Sequence, residues 1–88
     1  MSGSLTIHRY ECKGGSIVAT QVTASNFAEI ADWTGGATHP HTRAHVTSVS
    51  IPPYASLAIA TDWVVRMPDG RFVVLTDMDF NDRYQRAG

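Results

Sequence analysis

Arginine and aromatic residues recur together in one stretch of this chain, and that combination suits ligand chemistry. Arg66 and Arg71 flank a turn, Phe72 follows the second of them, and Trp33 and Tyr54 stand upstream. A guanidinium presents a planar fork of donors that fits phosphate oxygens, and an aromatic ring offers a face on which a base stacks. Arg66, Arg71, Trp33, Phe72 and Tyr54 are therefore the candidate ligand-binding residues, for a small nucleotide ligand. A structural alternative stands beside each. Arg66 and Arg71 also read as solvated charges paired with Asp62 or Asp69, and Trp33 as a core-edge ring covering a sheet.

Other chemistry finds less support. His39, His41 and His45 share a face if the chain is extended, which invites a zinc site, but Arg43 lies among them and Pro40 disturbs simple extension. No nearby Cys, Asp or Glu completes a ligand set, so the segment reads as a solvated loop entering a strand, with no metal. Asp62 and Asp77 approach one another across the mouth of a hairpin as an acid pair or as caps and solvated ends. Gly14-Gly15 and Gly35-Gly36 are too short to cradle phosphate, and no strand-turn-helix nucleophile elbow is present. The chain is expected to bind rather than catalyse, and to need no cofactor.

The elements that must position these residues are announced locally. In Met67-Pro68-Asp69-Gly70-Arg71, Pro68 presets φ for a turn and Gly70 supplies the φ > 0 of a type I turn with a G1 bulge. With Met67 opposite Arg71, one hairpin face carries Trp63, Val65, Met67, Val73 and Leu75, a core face. The other carries Asp62, Val64, Arg66, Phe72, Val74 and Thr76, mixed in character and in want of a cover. Thr76 fits a helix N-cap with Asp79 three residues on, Leu75 and Phe80 form a hydrophobic staple, and Asp79/Arg83 make an i,i+4 pair. Phe80 and Tyr84 should dock this helix on the sheet.

Upstream, Met1 to Ser4 read as a frayed end. Leu5 to Tyr10 alternates as a short strand, with Leu5, Ile7 and Arg9 on one side and Tyr10 on the other. Ser16 to Thr23 is a β-branched strand that pairs with it around Lys13 to Gly15. Thr23 to Asn26 offers capping residues for a helix over Phe27 to Thr34, ended by Gly35 and striped by Phe27, Ile30, Ala31 and Thr34, with Trp33 half in and half out. Arg43 to Ile51 is a strand stopped by Pro52-Pro53, and Tyr54 to Thr61, where Leu57 and Ile59 alternate with small residues, leads into the hairpin. The expected class is α+β: one small domain over residues 1–88, with a twisted, mainly antiparallel sheet of about five strands and two short helices.

Composition bounds the partners. At 88 residues with 43% hydrophobic and 17% charged, the chain is globular and near the size where burial is marginal, so self-association is expected to add burial. A formal net charge of -1 argues against general nucleic-acid binding. Cys12 is the lone cysteine, which fits a reducing compartment, and neither a membrane span nor a secretory h-region is written in the chain.

Two segments, QVTASNFAEIADWTGG (Gln21 to Gly36) and ATDWVVRMPDGRFVVLTDMDFNDRY (Ala60 to Tyr84), carry a pattern of VT-x-x-N-x-x-E-I-A-x-W-x-G-G, then D-W-V and a final F-x-x-x-Y. Together they resemble a widespread family of small phage-encoded proteins common in actinobacteriophages. The matching positions are Asn26, Glu29, Ile30, Ala31, Trp33, Gly35, Gly36, Asp62, Trp63, Phe80 and Tyr84. Thr61 stands where many relatives have Gly, which puts a tight turn there in question, and Thr34 stands where many have Cys. The resemblance implies a phage origin and a host-cytoplasm setting, and carries no activity with it. Joined to the arginine-aromatic stretch, it leads to the expectation of a non-enzymatic accessory protein that sequesters a nucleotide immune signal, as a homo-oligomer burying the mixed hairpin face. Alternatives are a protein–protein module that docks on a host protein through that face or an exposed edge strand, and a minor virion or assembly component.

Overall fold

The computed structural model describes residues 7–12, 15–39, 47–53 and 55–84. In chain order the elements are β1 (His8–Cys12), β2 (Gly15–Gln21), α1 (Phe27–Thr34), β3 (Ala37–His39), β4 (Ser48–Ile51), β5 (Ser56–Ala58), β6 (Trp63–Arg66), β7 (Phe72–Leu75) and α2 (Asp77–Arg83). The class is α+β, but among the described residues the strands number seven and form two antiparallel sheets, β1-β2-β6-β7 and β3-β4-β5, rather than about five in one. The reason lies in the middle of the chain. Ala37–His39 is too short and too polar to announce itself as a strand, and the turn at Pro52 and Pro53 folds β5 back onto β4 instead of onto the hairpin.

The hairpin follows its turn chemistry. The Met67 N–H donates to the Arg71 carbonyl at 2.7 Å, the Gly70 N–H to the Met67 carbonyl at 2.9 Å, and Gly70 has φ +90. That register pairs Trp63 with Leu75, Val64 with Val74, Val65 with Val73 and Arg66 with Phe72. Strand β2 pairs with β6 and with β1, where Arg9 and Tyr10 fall on opposite faces as alternation requires. Leu5 and Met1 to Ser4 lie outside the described residues.

Each face of the four-stranded sheet has its own core. On one, Ile17, Ala19, Trp63, Val65, Leu75 and Phe80 pack together, with the Trp63 and Phe80 rings stacked at 3.8 Å and 3°. Tyr10 and Tyr84 contact Phe80, so α2 docks as its Phe80/Tyr84 face demands. The Thr76 hydroxyl accepts the Asp79 N–H at 3.1 Å, closing the expected cap. On the other face, Val22, Ile30, Val49, Ile51, Ala58 and Val64 pack together, with Trp33, Phe72 and Val74 at the margin. The mixed hairpin face is thus covered from within, by α1 and the three-stranded sheet, and Val64 is not left for a second copy to bury.

Three local expectations need correcting. Asn26 makes no side-chain cap; its Oδ1 accepts the Thr23 N–H at 2.8 Å and its Nδ2 donates to the Gln21 carbonyl at 3.0 Å, so it ties the β2–α1 connection instead. Asp79 and Arg83 make no ion pair within 4 Å; among the described residues that contact belongs to Arg71 and Asp69. Thr61 does occupy a tight turn, at φ +81, with the Asp62 N–H donating to the Ile59 carbonyl. Among the described residues no helix is long and apolar enough to cross a membrane.

Candidate functional site

The residues singled out in the sequence part company in three dimensions. Arg66 and Phe72 are direct cross-strand partners and therefore share a face. Trp33 reaches the same place from α1, its ring edge-on to Phe72 at 5.1 Å and 75°. Both rings are half-buried while Arg66 is exposed. Among the described residues Arg66 has no carboxylate within ion-pairing distance. Asp62, one of its two anticipated partners, turns its Oδ2 to the Ile59 N–H at 3.1 Å.

Arg71 is engaged elsewhere. Its Nε lies 2.7 Å from Asp69 Oδ2, and its backbone N–H donates to Asp69 Oδ1 at 3.0 Å. The hydrogen bond from the Arg71 backbone N–H first, and then the guanidinium, hold the Asp69 carboxyl below its ordinary value against an opposing desolvation. Here the alternative of a turn charge paired with Asp69 is the observed one. Tyr54 lies outside the described residues.

What the sequence did not offer is Arg9. Strand order and register place Arg9 against Val18, Val18 against Arg66, and Arg66 against Phe72, one continuous row across all four strands. Partners in such a row project to one side of the sheet, so two guanidiniums flank Val18 on the face that ends in the Trp33–Phe72 pair. With neighbouring strands about 4.8 Å apart, the two arginine positions are separated by roughly 10 Å. Arg9 is exposed and, among the described residues, also lacks a carboxylate within ion-pairing distance. Glu11, two residues along on the same face, accepts the Ser16 hydroxyl at 2.9 Å. Alternation gives Arg9 its side of β1; its neighbours depend on the strand order, which no local pattern encodes.

On α1, Glu29 stands one turn before Trp33, on the same flank, and its Oε1 is buried with no hydrogen-bond partner among the described residues. The other clusters resolve into structure. Asp77 Oδ1 accepts the Trp63 indole N–H at 2.8 Å and also Gln21 Nε2 and Asn81 Nδ2, so Asp62 and Asp77, both at the open mouth of the hairpin, are each held in separate structural hydrogen bonds. His39 Nε2 lies 3.2 Å from Ser50 Oγ, beside an open depression of about 250 Å³ lined by Gly35, Gly36, Pro52 and Pro53. Ser50 donates its hydroxyl to the Ala37 carbonyl, and the Gly35 and Gly36 amides are spent on the Ala31 carbonyl. His39 and Ser50 thus act as a cross-strand tether, with the serine proton and the Gly35 and Gly36 amides already engaged. His41 and His45 lie outside the described residues, within which no group of three metal-ligating side chains occurs.

No protein-family model, curated protein or solved structure matches the chain.

Proposed function

We propose that this protein is a non-enzymatic binder of a small nucleotide, with Arg66 holding phosphate and the Trp33–Phe72 pair holding the base. The observation that carries this reading is the junction of an exposed arginine, without a carboxylate partner among the described residues, and a half-buried aromatic pair on one sheet face. A guanidinium supplies two parallel donors to phosphate, and a base with any π-face stacks on an aromatic side chain. The setting, a phage accessory protein sequestering an immune signal in the host cytoplasm, rests on the resemblance of the segments Gln21 to Gly36 and Ala60 to Tyr84.

Because the mixed face is covered by the chain's own elements, the site is complete in one copy and a 1:1 stoichiometry is expected. Native mass spectrometry of the purified protein with a pool of mononucleotides and cyclic dinucleotides tests this. An intact bound nucleotide, lost in Arg66→Gln, is the expected result; a cleaved nucleotide identifies an enzyme, and no bound mass for any of the pool overturns the reading.

A second reading, contact with a host protein, is favoured by Leu57, which is 61% exposed on β5 at the edge of the three-stranded sheet, and by Ile59 beyond it. Leu57→Asp abolishes capture of one host polypeptide if that reading holds and leaves nucleotide binding unchanged.

A further inference from the structure

We infer that the Arg9–Val18–Arg66 row is a two-armed clamp for a pyrophosphate group, so that the ligand class is a nucleoside diphosphate or another nucleotide with adjacent phosphates. This rests on the nucleotide reading above and extends it to a residue and a ligand feature that reading does not need. Three observations converge. Arg9 and Arg66 are exposed and, among the described residues, without a carboxylate within ion-pairing distance. They are fixed at equivalent positions on either side of the same β2 residue, so their separation is set by backbone hydrogen bonding and not by loop conformation. The residue between them, Val18, is half-buried and apolar, and it offers no donor or acceptor to compete for either guanidinium.

The geometry dictates the order along the row. The base lies at Phe72 and Trp33, the first phosphate beside Arg66 one strand away, and the second over Val18, where the flexible Arg9 side chain closes from the far strand. A single phosphate reaches Arg66 but leaves Arg9 unused. Two adjacent phosphates engage both forks and concentrate enough negative charge to hold two cations together. Glu11, on the same face two residues from Arg9, opposes the second phosphate and limits the gain.

Isothermal titration calorimetry with ADP, GDP, AMP, GMP and inorganic pyrophosphate tests the clamp. In the wild-type protein the diphosphate of the preferred base should bind at least tenfold more tightly than its monophosphate. Arg9→Gln should erase that difference while leaving the monophosphate affinity within twofold. Arg66→Gln should weaken both by tenfold or more. Glu11→Gln should tighten the diphosphate alone, by a few fold. Arg83→Gln, which removes the same charge from α2 on the opposite face of the sheet, should change neither, and circular dichroism checks that each variant is folded. A diphosphate preference that survives Arg9→Gln, or that falls equally in Arg83→Gln, overturns the clamp while the Arg66 site stands. Absence of binding by every nucleotide in the set overturns both.

Discussion

Thr61 and the Gly35-Gly36 pair show how much backbone conformation alone decides at single positions. Thr61 holds φ +81, a region that a β-branched side chain enters only under strain, and it is held there by its N–H to the Val22 carbonyl and by Gln21 Nε2 on its own carbonyl. Its side chain is exposed, so Thr61→Gly should relieve strain with little lost packing. We expect a gain of about 0.5–1 kcal/mol, read as a rise in Tm on thermal unfolding; a fall would show that the side chain stabilises the turn. The two glycines differ from each other. A Cβ on Gly35, at φ +76, meets nothing within 4 Å, whereas on Gly36 it falls 1.9 Å from the Ser50 carbonyl oxygen. Gly35→Ala should therefore cost about 1–2 kcal/mol through conformation, and Gly36→Ala about 3 kcal/mol or more, because β4 must move. Equal Tm losses would contradict the close approach. The helix stop at Gly35 was legible from its position after a periodic run; the role of Gly36 was not, since it depends on a strand fourteen residues away.

Among the elements, α2 is fastened by more than its apolar face. Asp77, in its first turn, accepts the Trp63 indole N–H from β6 and is reached by Gln21 from β2, so one carboxylate ties the helix to two strands. Asp77→Ala leaves a partly buried indole donor unsatisfied and should cost about 1–3 kcal/mol. Asp77→Asn keeps an acceptor oxygen and should lose only the helix-dipole contribution, about 0.3–1 kcal/mol. Urea titration of the two variants separates them, and indistinguishable midpoints would mean that the indole bond contributes nothing. The cap at Thr76, the staple of Leu75 and Phe80 and the β6–β7 turn were all readable, because each is settled within a few residues. The bond from Asp77 to Trp63 was not, because Asp77 reads equally well as a dipole-complementing residue in the first turn.

At the scale of the molecule, the four-stranded sheet has a different core on each of its faces, and Val64 and Val65 are adjacent residues that belong to different cores. Val64→Ala and Val65→Ala should each cost roughly 2 kcal/mol, but in different places. Amide hydrogen exchange should rise in α1 and β4 for the first and in α2 for the second; the same pattern for both would mean a single undivided core. The alternation of the hairpin foretold that split, and Arg66 and Phe72 were correctly placed on one face together. What covers that face was not foretold. The sequence by itself determined the β6–β7 turn, the helix stop at Gly35, the capped α2 and the α+β class, since these follow from φ preferences, capping hydrogen bonds and periodicity among near neighbours. The tertiary structure alone decided that β3, β4 and β5 form a second sheet, that the mixed face is buried within one chain, and that Arg9 stands in a row with Arg66 and Phe72. Those outcomes depend on strand order and on register between segments far apart in the chain, and such pairings are chosen by the burial of whole faces rather than by any residue and its neighbours.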